Sequence, residues 1–274
     1  MATKSYQTIK VEKDKGITWL KFNRPEKRNA ISPQLCFDME DALMGLETDP
    51  ETKVIVLAGE GPAWSAGMDL KEYFRANDNN PDGQFRAFTA NRHWNWDLLS
   101  MSRKPTIAMV HGFCFGGAFI PLCGCDLAIA ADEATFGLSE VNWGILPGGI
   151  VSKVIVDLMS HRDALFYAMT GRTFNGKEAA SMRLVNYSVP AAKLREETVK
   201  LAQELIEKPP MALAYTKQAV RAVRTMDYPA ALEYLMAKSY ALRWIDKQNA
   251  RDQGIKKFID DKEYRPGFQS VKVD

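Results

Sequence analysis

The sequence predicts an α/β fold followed by a helical C-terminal region, and two observations support this prediction. From residue 7 to about residue 195, strand-like apolar runs alternate with segments of helical periodicity, which is typical of a sheet covered by helices. After Pro190 only helical segments follow. We therefore expect a core at residues 1–195 and a helical region at residues 196–274.

The predicted strands are short apolar runs, and those at residues 54–58 and 106–110 are rich in β-branched residues and bounded by glycine. The five runs lie at residues 16–22, 54–58, 106–110, 126–131 and 184–189. Apolar runs of this length and composition indicate buried strands. Between the first two runs, a helix is predicted at residues 33–46, with Ser32 as its N-cap and Pro33 at its first position.

Four further helices are predicted in the C-terminal region, at residues 192–207, 211–224, 229–247 and 250–261. The third is apolar on more than one face between residues 230 and 244. A helix of this kind needs packing partners on two sides. Those partners belong either to the same chain or to a neighbouring subunit, and the pattern alone is compatible with both.

Composition narrows the possible classes of protein. The 36 basic and 34 acidic residues nearly cancel and form no long basic run, so no nucleic-acid partner is expected. No apolar run approaches the roughly 20 residues of a membrane span, and the first residues lack a signal-peptide core. We therefore expect a cytoplasmic protein without a membrane partner. The four cysteines and three histidines show no ligand spacing, so no metal site is expected.

Three segments carry candidate chemistry. Residues 66–69 (AGMD) and 112–118 (GFCFGGA) both place glycine just beyond a strand-like run. Glycine permits positive φ and close approach of a ligand to the main chain, so two free N–H groups from these loops can form an oxyanion hole. Residues 134–144 (ATFGLSEVNWG) place Glu140 among apolar neighbours. An oxyanion hole with one acid/base is the minimum set of groups for enolate chemistry.

These segments resemble the crotonase (enoyl-CoA hydratase/isomerase) superfamily and, within it, the hydroxycinnamoyl-CoA (feruloyl-CoA) hydratase-lyases. The resemblance runs from residues 23–30 (NRPEKRNA) through residues 67–74 (GMDLKEYF) and the glycine loop to residues 137–144 (GLSEVNWG). It implies the crotonase fold, a spiral of ββα repeats whose C-terminal helices assemble a homotrimer or a dimer of trimers. It also implies a CoA thioester substrate, with coenzyme A present as part of that substrate and no permanently bound cofactor.

The resemblance also assigns catalytic roles. The N–H groups of Met68 and Gly117 would bind the thioester oxygen, and Glu140 would act as acid and base. Ordinary enoyl-CoA hydratases carry a second catalytic glutamate where this chain has Ile120. The hydroxycinnamoyl-CoA hydratase-lyases rely on one glutamate, which favours them. The implied reaction is hydration of feruloyl-CoA or coumaroyl-CoA, followed by retro-aldol cleavage to an aromatic aldehyde of the vanillin type and acetyl-CoA.

Substrate contacts are implied in the same way. Tyr73 resembles the tyrosine that meets the substrate phenol, and Trp143 borders the acyl group. A second phenol-binding tyrosine, from a neighbouring subunit, falls by register on Met236, with Tyr234 and Tyr240 nearby as candidates. The implied CoA contacts are Lys27, Arg28, Ala66, Met68, Leu70 and Phe258.

Several alternatives remain open on the sequence. One is another crotonase activity, such as that of an enoyl-CoA hydratase, an isomerase or a thioester hydrolase. A second is an RNA-binding or scaffold protein built on the same fold. The aromatic-rich stretch at residues 81–96 either packs inward as an amphipathic helix or lines the acyl pocket.

Overall fold

The computed structural model describes residues 4–263, and its central feature is a six-stranded sheet. The nine strands of this part of the chain are β1 (Ile9–Asp14), β2 (Ile17–Phe22), β3 (Val54–Gly59), β4 (Thr106–Val110), β5 (Phe113–Phe115), β6 (Leu127–Ala131), β7 (Thr135–Gly137), β8 (Thr173–Asn175) and β9 (Tyr187–Val189). The large sheet has the order β1-β2-β3-β4-β6-β9, and every pair except β1–β2 is parallel. A smaller sheet has the order β5-β7-β8.

Eleven α-helices surround the sheets in the described residues. They are α1 (Pro33–Thr48), α2 (Pro81–Arg92), α3 (Leu99–Met101), α4 (Phe119–Gly124), α5 (Val151–Leu158), α6 (His161–Thr170), α7 (Gly176–Ser181), α8 (Ala191–Ile206), α9 (Pro210–Val223), α10 (Tyr228–Ile245) and α11 (Ala250–Ile259). Short 3₁₀ or π turns link them, including Leu70–Phe74, Gly116–Ala118 and Glu140–Trp143. No helix within residues 4–263 is long and apolar enough to span a membrane.

Hydrophobic packing covers both faces of the large sheet. Because side chains alternate across a strand, Trp19 of β2 faces one side and Phe22 faces the other. Trp19 packs with Val56 and Ala202, so α8 covers that face. On the opposite face, the Phe22 ring meets Trp64 edge-on, with a distance of 5.5 Å between ring centroids. This second face carries the larger core, into which α1 and α4 also pack.

The small sheet brings the segments that carry the candidate chemistry together. Strands β5 and β7 are parallel, and Phe115 lies opposite Gly137. Chain segments that follow neighbouring parallel strands emerge at the same edge, so the loop after Phe115 and the turn after Gly137 lie side by side. Isolated parallel bridges join Ser65 to Cys114 and Ile31 to Met68, which adds two more segments to the same edge.

The predicted secondary structure agrees with most of these elements. The runs at residues 16–22, 54–58, 106–110 and 126–131 are confirmed as β2, β3, β4 and β6, and Ser32 caps α1 by accepting from the Leu35 N–H at 3.2 Å. The run at 184–189 is strand only from Tyr187 onward. Its first residues belong to the turn that closes α7, where the Leu184 N–H donates to the Ala179 carbonyl at 3.0 Å.

The C-terminal helices are confirmed within a few residues as α8–α11. The predicted division between residues 195 and 196 falls inside α8, which packs on the sheet, and the outer ends of both predicted regions lie outside the described residues. Within the described chain, α10 contains no buried residue, and Tyr240 and Trp244 are 58% and 85% exposed. Assembly through this helix stays a prediction.

Candidate active site

A cavity of about 640 Å³ lies beside the ends of β5 and β7. Its wall is mostly apolar and includes both predicted glycine loops together with Glu140. Among the described residues that line it, Glu140 is the only carboxylate and Arg28 the only cationic side chain. A mostly apolar cavity with few polar groups is typical of a small-molecule site.

The Met68 N–H faces this cavity because of how its neighbours pair. The Ile31 N–H donates to the Gly67 carbonyl at 2.8 Å, and the Asp69 N–H donates to the Ile31 carbonyl at 2.9 Å. Met68 lies between these two bonds. In parallel pairing such a residue points its own N–H away from the partner strand, here away from Ile31. Gly67 has φ +86°, which favours glycine and turns the chain at this point.

The second candidate donor is the Gly117 N–H. Gly117 lies in the first turn of the 3₁₀ helix Gly116–Ala118, where backbone N–H groups have no intrahelical acceptor. A Cβ at Gly67 would lie 3.3 Å from the Gly117 nitrogen, and a Cβ at Gly117 would lie 3.6 Å from the Met68 nitrogen. The two loops are therefore in direct contact at the cavity wall. Two main-chain donors placed in this way can hold a developing oxyanion.

Hydrogen bonds from the 23–30 segment hold the first loop in place. The Ser65 hydroxyl donates to the Asn29 carbonyl at 2.8 Å and accepts from the Gly67 N–H at 3.2 Å. The Asn29 side chain donates to the carbonyls of Glu60 and Ala63 at 2.9 and 2.7 Å. This network fixes the chain immediately before Met68.

A buried ion pair fixes the chain immediately after Met68. Arg24 donates to Asp69 at 3.1 Å and to Glu72 at 2.7 Å, and the Arg24 and Asp69 side chains are both nearly inaccessible to solvent. The other Asp69 oxygen accepts from the N–H groups of Lys71 and Glu72, so it caps the turn Leu70–Phe74. Burial opposes the charge on Asp69, but the Glu72 N–H and the Arg24 guanidinium outweigh it and lower the pKa of this carboxyl.

Glu140 opens the 3₁₀ turn Glu140–Trp143 and lies over the glycine loop. A Cβ at Gly116 would come within 3.0 Å of Glu140 Oε1. Oε2 is buried and has no hydrogen-bond partner among residues 4–263, and burial raises the pKa of this carboxyl. A raised pKa makes a carboxyl group a better proton donor and acceptor near neutral pH. Ile120, which the resemblance places at the position of a second glutamate, lines the same cavity and is 5% exposed.

Aromatic side chains form much of the remaining cavity wall. They are Tyr73, Phe74, Phe88, Phe113, Phe115 and Trp143. Tyr73 is 7% exposed, whereas Trp143 is 69% exposed at the opening. Burial raises the pKa of the Tyr73 hydroxyl, and the neighbouring Asn91 amide acts in the opposite direction. The cavity can therefore hold a flat aromatic group with a polar end.

The aromatic side chains at residues 81–96 divide between the two roles that the sequence left open, inward packing and lining of the cavity. Phe88 lines the cavity, whereas Trp94 is fully buried and meets the Phe22 ring edge-on at 6.0 Å between centroids. Phe85 does neither and is 70% exposed. The stretch is therefore part core and part cavity wall.

Some predicted contact residues lie at the cavity and others do not. Those that line it are Arg28, Ala66, Met68, Leu70, Tyr73, Gly117, Glu140 and Trp143. Lys27 is exposed just before Arg28 and is not part of the wall. Phe258 on α11 and Tyr240 on α10 are 47% and 58% exposed, and Tyr234 lines a different cavity beside Lys238. One chain alone does not bring these three to Glu140, and their action from a neighbouring subunit stays a prediction.

Two parts of the site were missed by sequence reasoning. Asn91 lies three residues after Phe88 on α2, so both share one helix face and the same cavity wall. That spacing is a signal that could have singled out Asn91. The segment from Ile145 to Gly149 also contributes to the wall and carried no recognisable pattern.

The fold and the cavity together define an enzyme of the crotonase type. The sequence model of the enoyl-CoA hydratase/isomerase family matches residues 12–268, and the chain belongs to this family. A relative named hydroxycinnamoyl-CoA hydratase-lyase, from Pseudomonas fluorescens, is 52% identical over 268 residues, which is 97% of each chain. The resemblance read from the sequence motifs is thereby confirmed.

Solved structures give the same fold. The enoyl-CoA hydratase subunit I of Geobacillus kaustophilus HTA426 is 30% identical with a TM-score of 0.84, covering 96% of this chain and 98% of its own. An enoyl-CoA hydratase from Mycobacterium smegmatis is 24% identical with a TM-score of 0.86, covering 95% and 98%, and at that identity it supports the fold alone. The predicted crotonase fold is confirmed.

Proposed function

We propose that this protein is a hydroxycinnamoyl-CoA hydratase-lyase that acts on 4-hydroxycinnamoyl thioesters such as feruloyl-CoA or coumaroyl-CoA. The observation that carries the proposal is the presence in one cavity of a single carboxylate, Glu140, and a buried tyrosine, Tyr73. Ile120 at the second glutamate position cannot move a proton, which argues against ordinary two-glutamate hydration. The name of the Pseudomonas fluorescens relative supports the same activity.

The oxyanion hole acts in both stages of the proposed reaction. The N–H groups of Met68 and Gly117 bind the thioester oxygen, where negative charge collects whenever an enolate forms. Loss of one such donor typically raises the barrier by about 2.7–4 kcal/mol. Because these donors belong to the main chain, they depend on loop geometry rather than on side-chain identity.

Glu140 moves every proton in the proposed sequence. As a carboxylate it removes a proton from water while the oxygen adds to the β-carbon, and as an acid it returns that proton to the α-carbon. It then removes the proton of the new β-hydroxyl group. The bond between the α- and β-carbons breaks, its electron pair becomes the thioester enolate, and the aldehyde forms. Protonation of the enolate by Glu140 gives acetyl-CoA.

The substrate ends would occupy opposite parts of the cavity. Tyr73 contacts the phenolic oxygen of the acyl group, and Trp143 covers the ring near the opening. Arg28, Ala66 and Leu70 border the CoA portion, with Lys27 close by. Arg28 also lies over the Phe113 ring, with its guanidinium carbon 5.8 Å from the centroid, which keeps a cation at the opening. Coenzyme A thus enters as part of the substrate.

We also propose that the enzyme is a cytoplasmic homotrimer or dimer of trimers. The support for assembly is the exposed apolar surface of α10 and α11, which includes Met236, Tyr240 and Phe258. In such an assembly, Tyr234, Tyr240 or Phe258 of one subunit would contact the substrate bound to another. Residues 196–274 would then be the trimerisation region.

The test is incubation with feruloyl-CoA, coumaroyl-CoA and aliphatic enoyl-CoA thioesters, with products identified by mass. We expect an aromatic aldehyde and acetyl-CoA in equal amounts. A hydroxyacyl-CoA without aldehyde would instead indicate a hydratase, free CoA a thioester hydrolase, and a shifted double bond an isomerase. Binding of RNA at physiological salt without any turnover would indicate the non-enzymatic alternative, and each of these four results contradicts the proposal.

A further inference from the structure

One side chain, that of Arg24, contacts both ends of the segment between Met68 and Tyr73. Its Nη1 donates to Asp69 Oδ2 at 3.1 Å, and its Nη2 donates to Glu72 Oε1 at 2.7 Å. Asp69 directly follows the candidate oxyanion donor, and Glu72 directly precedes the candidate phenol contact. The guanidinium group therefore holds the segment next to both groups that the substrate would touch.

Arg24 is itself anchored to the protein interior. Its Nη1 also donates to the Ala30 carbonyl at 2.6 Å, and its backbone N–H donates to the side-chain oxygen of Asn29 at 2.8 Å. The Arg24 side chain is only 9% exposed. A guanidinium group is planar and carries its donors in a fixed fork, so it can hold two carboxylates at a set separation. We call Arg24, Asp69 and Glu72 the Arg24 clamp.

The turn Leu70–Phe74 depends on the Arg24 clamp for its shape. It has five residues, which is too short for a helix to be stable through its own hydrogen bonds, and its π geometry is rare. Asp69 supplies the missing support. One of its carboxylate oxygens accepts from the N–H groups of Lys71 and Glu72, and its carbonyl accepts from the Tyr73 N–H at 2.9 Å. A shift of Asp69 would therefore shift the backbone of Tyr73.

The two faces of this turn have different surroundings. The Glu72 side chain, which Arg24 holds, is 45% exposed. Tyr73 is 7% exposed and lines the same cavity as Met68. A substrate that binds through a carbonyl oxygen at one end and a phenol at the other has to match the separation of Met68 and Tyr73. Misplacement by about 1 Å can lower a rate about 100-fold, so this separation matters for turnover.

We propose that Arg24 is a positioning residue that sets the separation between the Met68 N–H and the Tyr73 hydroxyl, so that a 4-hydroxycinnamoyl group engages both at once. The inference rests on the proposed function and deepens it, because it names the group that fits the site to that acyl chain. Arg24 lies outside the described cavity wall and acts through its two partners. Glu72 supports Tyr73, whereas Asp69 supports both Met68 and Tyr73.

The experiment is a double-mutant cycle between Glu72 and Tyr73, with kcat/KM for aldehyde release from feruloyl-CoA as the readout. Glu72→Ala removes one arm of the clamp and keeps the buried Arg24–Asp69 pair, so the protein should fold. We expect kcat/KM to fall about tenfold, which is near the lower end of the effect of a hydrogen bond to a charged group. In Tyr73→Phe protein the same change should cost about twofold at most, because the supported contact is already absent.

Two further variants distinguish positioning from general stabilisation. Glu72→Gln should restore most of the activity lost in Glu72→Ala, because an amide oxygen still accepts from Arg24. Arg24→Lys should lower kcat in wild-type and Tyr73→Phe protein alike. A lysine ammonium group cannot hold both carboxylates in a fixed geometry, so Asp69 and the neighbouring Met68 N–H are loosened as well.

Glu12→Ala is the matched control. The Glu12 side chain is 50% exposed and pairs with Lys21 at 2.7 Å, which resembles the exposure and pairing of Glu72. Neither Glu12 nor Lys21 belongs to the described cavity wall. Loss of this ion pair should leave kcat/KM unchanged in both backgrounds, and thermal unfolding of all variants records any general loss of stability.

Two results would overturn the inference. One is a kcat/KM for Glu72→Ala equal to that of Glu12→Ala, which would show that burial of the Tyr73 ring holds it without the clamp. The other is an equal loss from Glu72→Ala in wild-type and Tyr73→Phe protein, which would show that Glu72 does not act through Tyr73.

Aldehyde release by the wild-type enzyme separates this inference from the proposed function. If the wild-type enzyme releases aldehyde, either of the two results overturns only the role of Arg24. If it releases none, the proposed function fails, and the inference that rests on it fails too.

Discussion

Glu140 and Gly116 are in close contact, so a side chain at Gly116 would press against the carboxylate. The α-carbon of Gly116 has φ +50°, and a Cβ there would come within 3.0 Å of Glu140 Oε1. The glycine loop that supplies a main-chain donor and the turn that supplies the carboxylate therefore form one packed unit. Strands β5 and β7 set their relative position. The two strands are parallel, with Phe115 opposite Gly137, and they end just before the glycine loop and the Glu140 turn.

Gly116→Ala should disturb this unit directly. The added methyl group is strained at positive φ and pushes against Glu140, so we expect kcat for aldehyde formation to fall about tenfold or more, which corresponds to about 1.4 kcal/mol in the barrier. Gly45→Ala is the matched control because a Cβ there meets nothing within 4 Å. It should keep full activity and gain up to about 1 kcal/mol in stability, since Gly45 lies inside α1. Equal kcat in both variants would contradict the prediction.

Glu140→Gln should abolish turnover while leaving the fold and thioester binding nearly intact, because it removes the proton carrier without changing side-chain volume. Steady-state kinetics, thermal unfolding and ligand binding check the three expectations separately. A variant that keeps a tenth or more of the wild-type kcat would show that another group moves the protons.

Ile120→Glu is the companion variant. It should not speed aldehyde release, because cleavage does not require a second acid.

The raised pKa of Glu140 predicts two pH effects. In the proposed mechanism the carboxylate activates water, so the acidic limb of kcat/KM should have its midpoint above the ordinary 4.5 and should vanish with turnover in Glu140→Gln. For stability, the folded state binds this proton more tightly than the unfolded chain. Glu140 therefore lowers the free energy of unfolding progressively as pH rises from about 4.5 through the folded-state pKa.

Glu140→Gln should consequently gain stability relative to wild type as pH rises through that window and keep the gain above it. Urea unfolding of both proteins at a series of pH values measures the difference. A constant difference from pH 4 to pH 8 would mean that burial does not hold this proton in the folded state.

The Arg24–Asp69 pair should be important for stability because both partners are buried. Arg24→Met leaves the Asp69 carboxylate without its counter-ion, and we expect a loss of about 3 kcal/mol in the free energy of unfolding at pH 7. Since the folded-state pKa of Asp69 is lowered, its stabilising contribution is present above the unfolded pKa and lost as pH falls through the folded one. The acid-induced loss of stability should therefore be smaller in Arg24→Met.

Arg251→Met is the control for this prediction. Arg251 also pairs with an aspartate, at 2.7 Å, but both side chains are more than half exposed. Exposed pairs contribute at most about 1 kcal/mol, so this variant should unfold almost as the wild type does. Similar losses in the two variants would show that burial of Arg24 has no special importance.

The sequence predicted the elements that a continuous local pattern marks, but not the contacts between residues that are distant in the chain. The runs that became β2, β3, β4 and β6 are long enough, and buried enough, to show their character as continuous apolar segments. By contrast β5, β7 and β8 have three residues each, which is too short for a period to be visible. Yet the pairing of β5 with β7 places Glu140 over the glycine loop, so the geometry of the site rests on contacts that no local pattern records.

Asn91 was missed although it lies three residues after Phe88 on the same helix. Its helix, α2, has only Ala87 and Ala90 buried, and a polar residue on such a helix is ordinarily a solvent-facing one. Asn91 nevertheless lines the cavity, and its oxygen accepts from the thiol of Cys36, 55 positions earlier in the chain. The family resemblance named Tyr73 and Glu140 as site residues, and both line one cavity, but it did not name Asn91.

Tyr73→Phe should identify the partner of the substrate phenol. If the hydroxyl donates to the para-oxygen, its loss should lower kcat/KM on feruloyl-CoA by about 1.5–3 kcal/mol, the range for a hydrogen bond to a charged group. Cinnamoyl-CoA, which lacks that oxygen, should be a poor substrate for both enzymes, and the mutation should add little further loss. The measurement is kcat/KM of wild type and Tyr73→Phe on both substrates. The effects of the mutation and of the missing para-hydroxyl group should be strongly non-additive.

Tyr167→Phe provides the control for that comparison, because Tyr167 packs against Phe174 at 4.4 Å between ring centroids and lies outside the cavity wall. It should leave both kcat/KM values and their ratio unchanged. The phenol assignment fails if Tyr73→Phe matches this control on feruloyl-CoA. It also fails if the wild-type enzyme uses cinnamoyl-CoA as well as feruloyl-CoA, because a buried hydroxyl that recognises the para-oxygen must discriminate against a substrate without one.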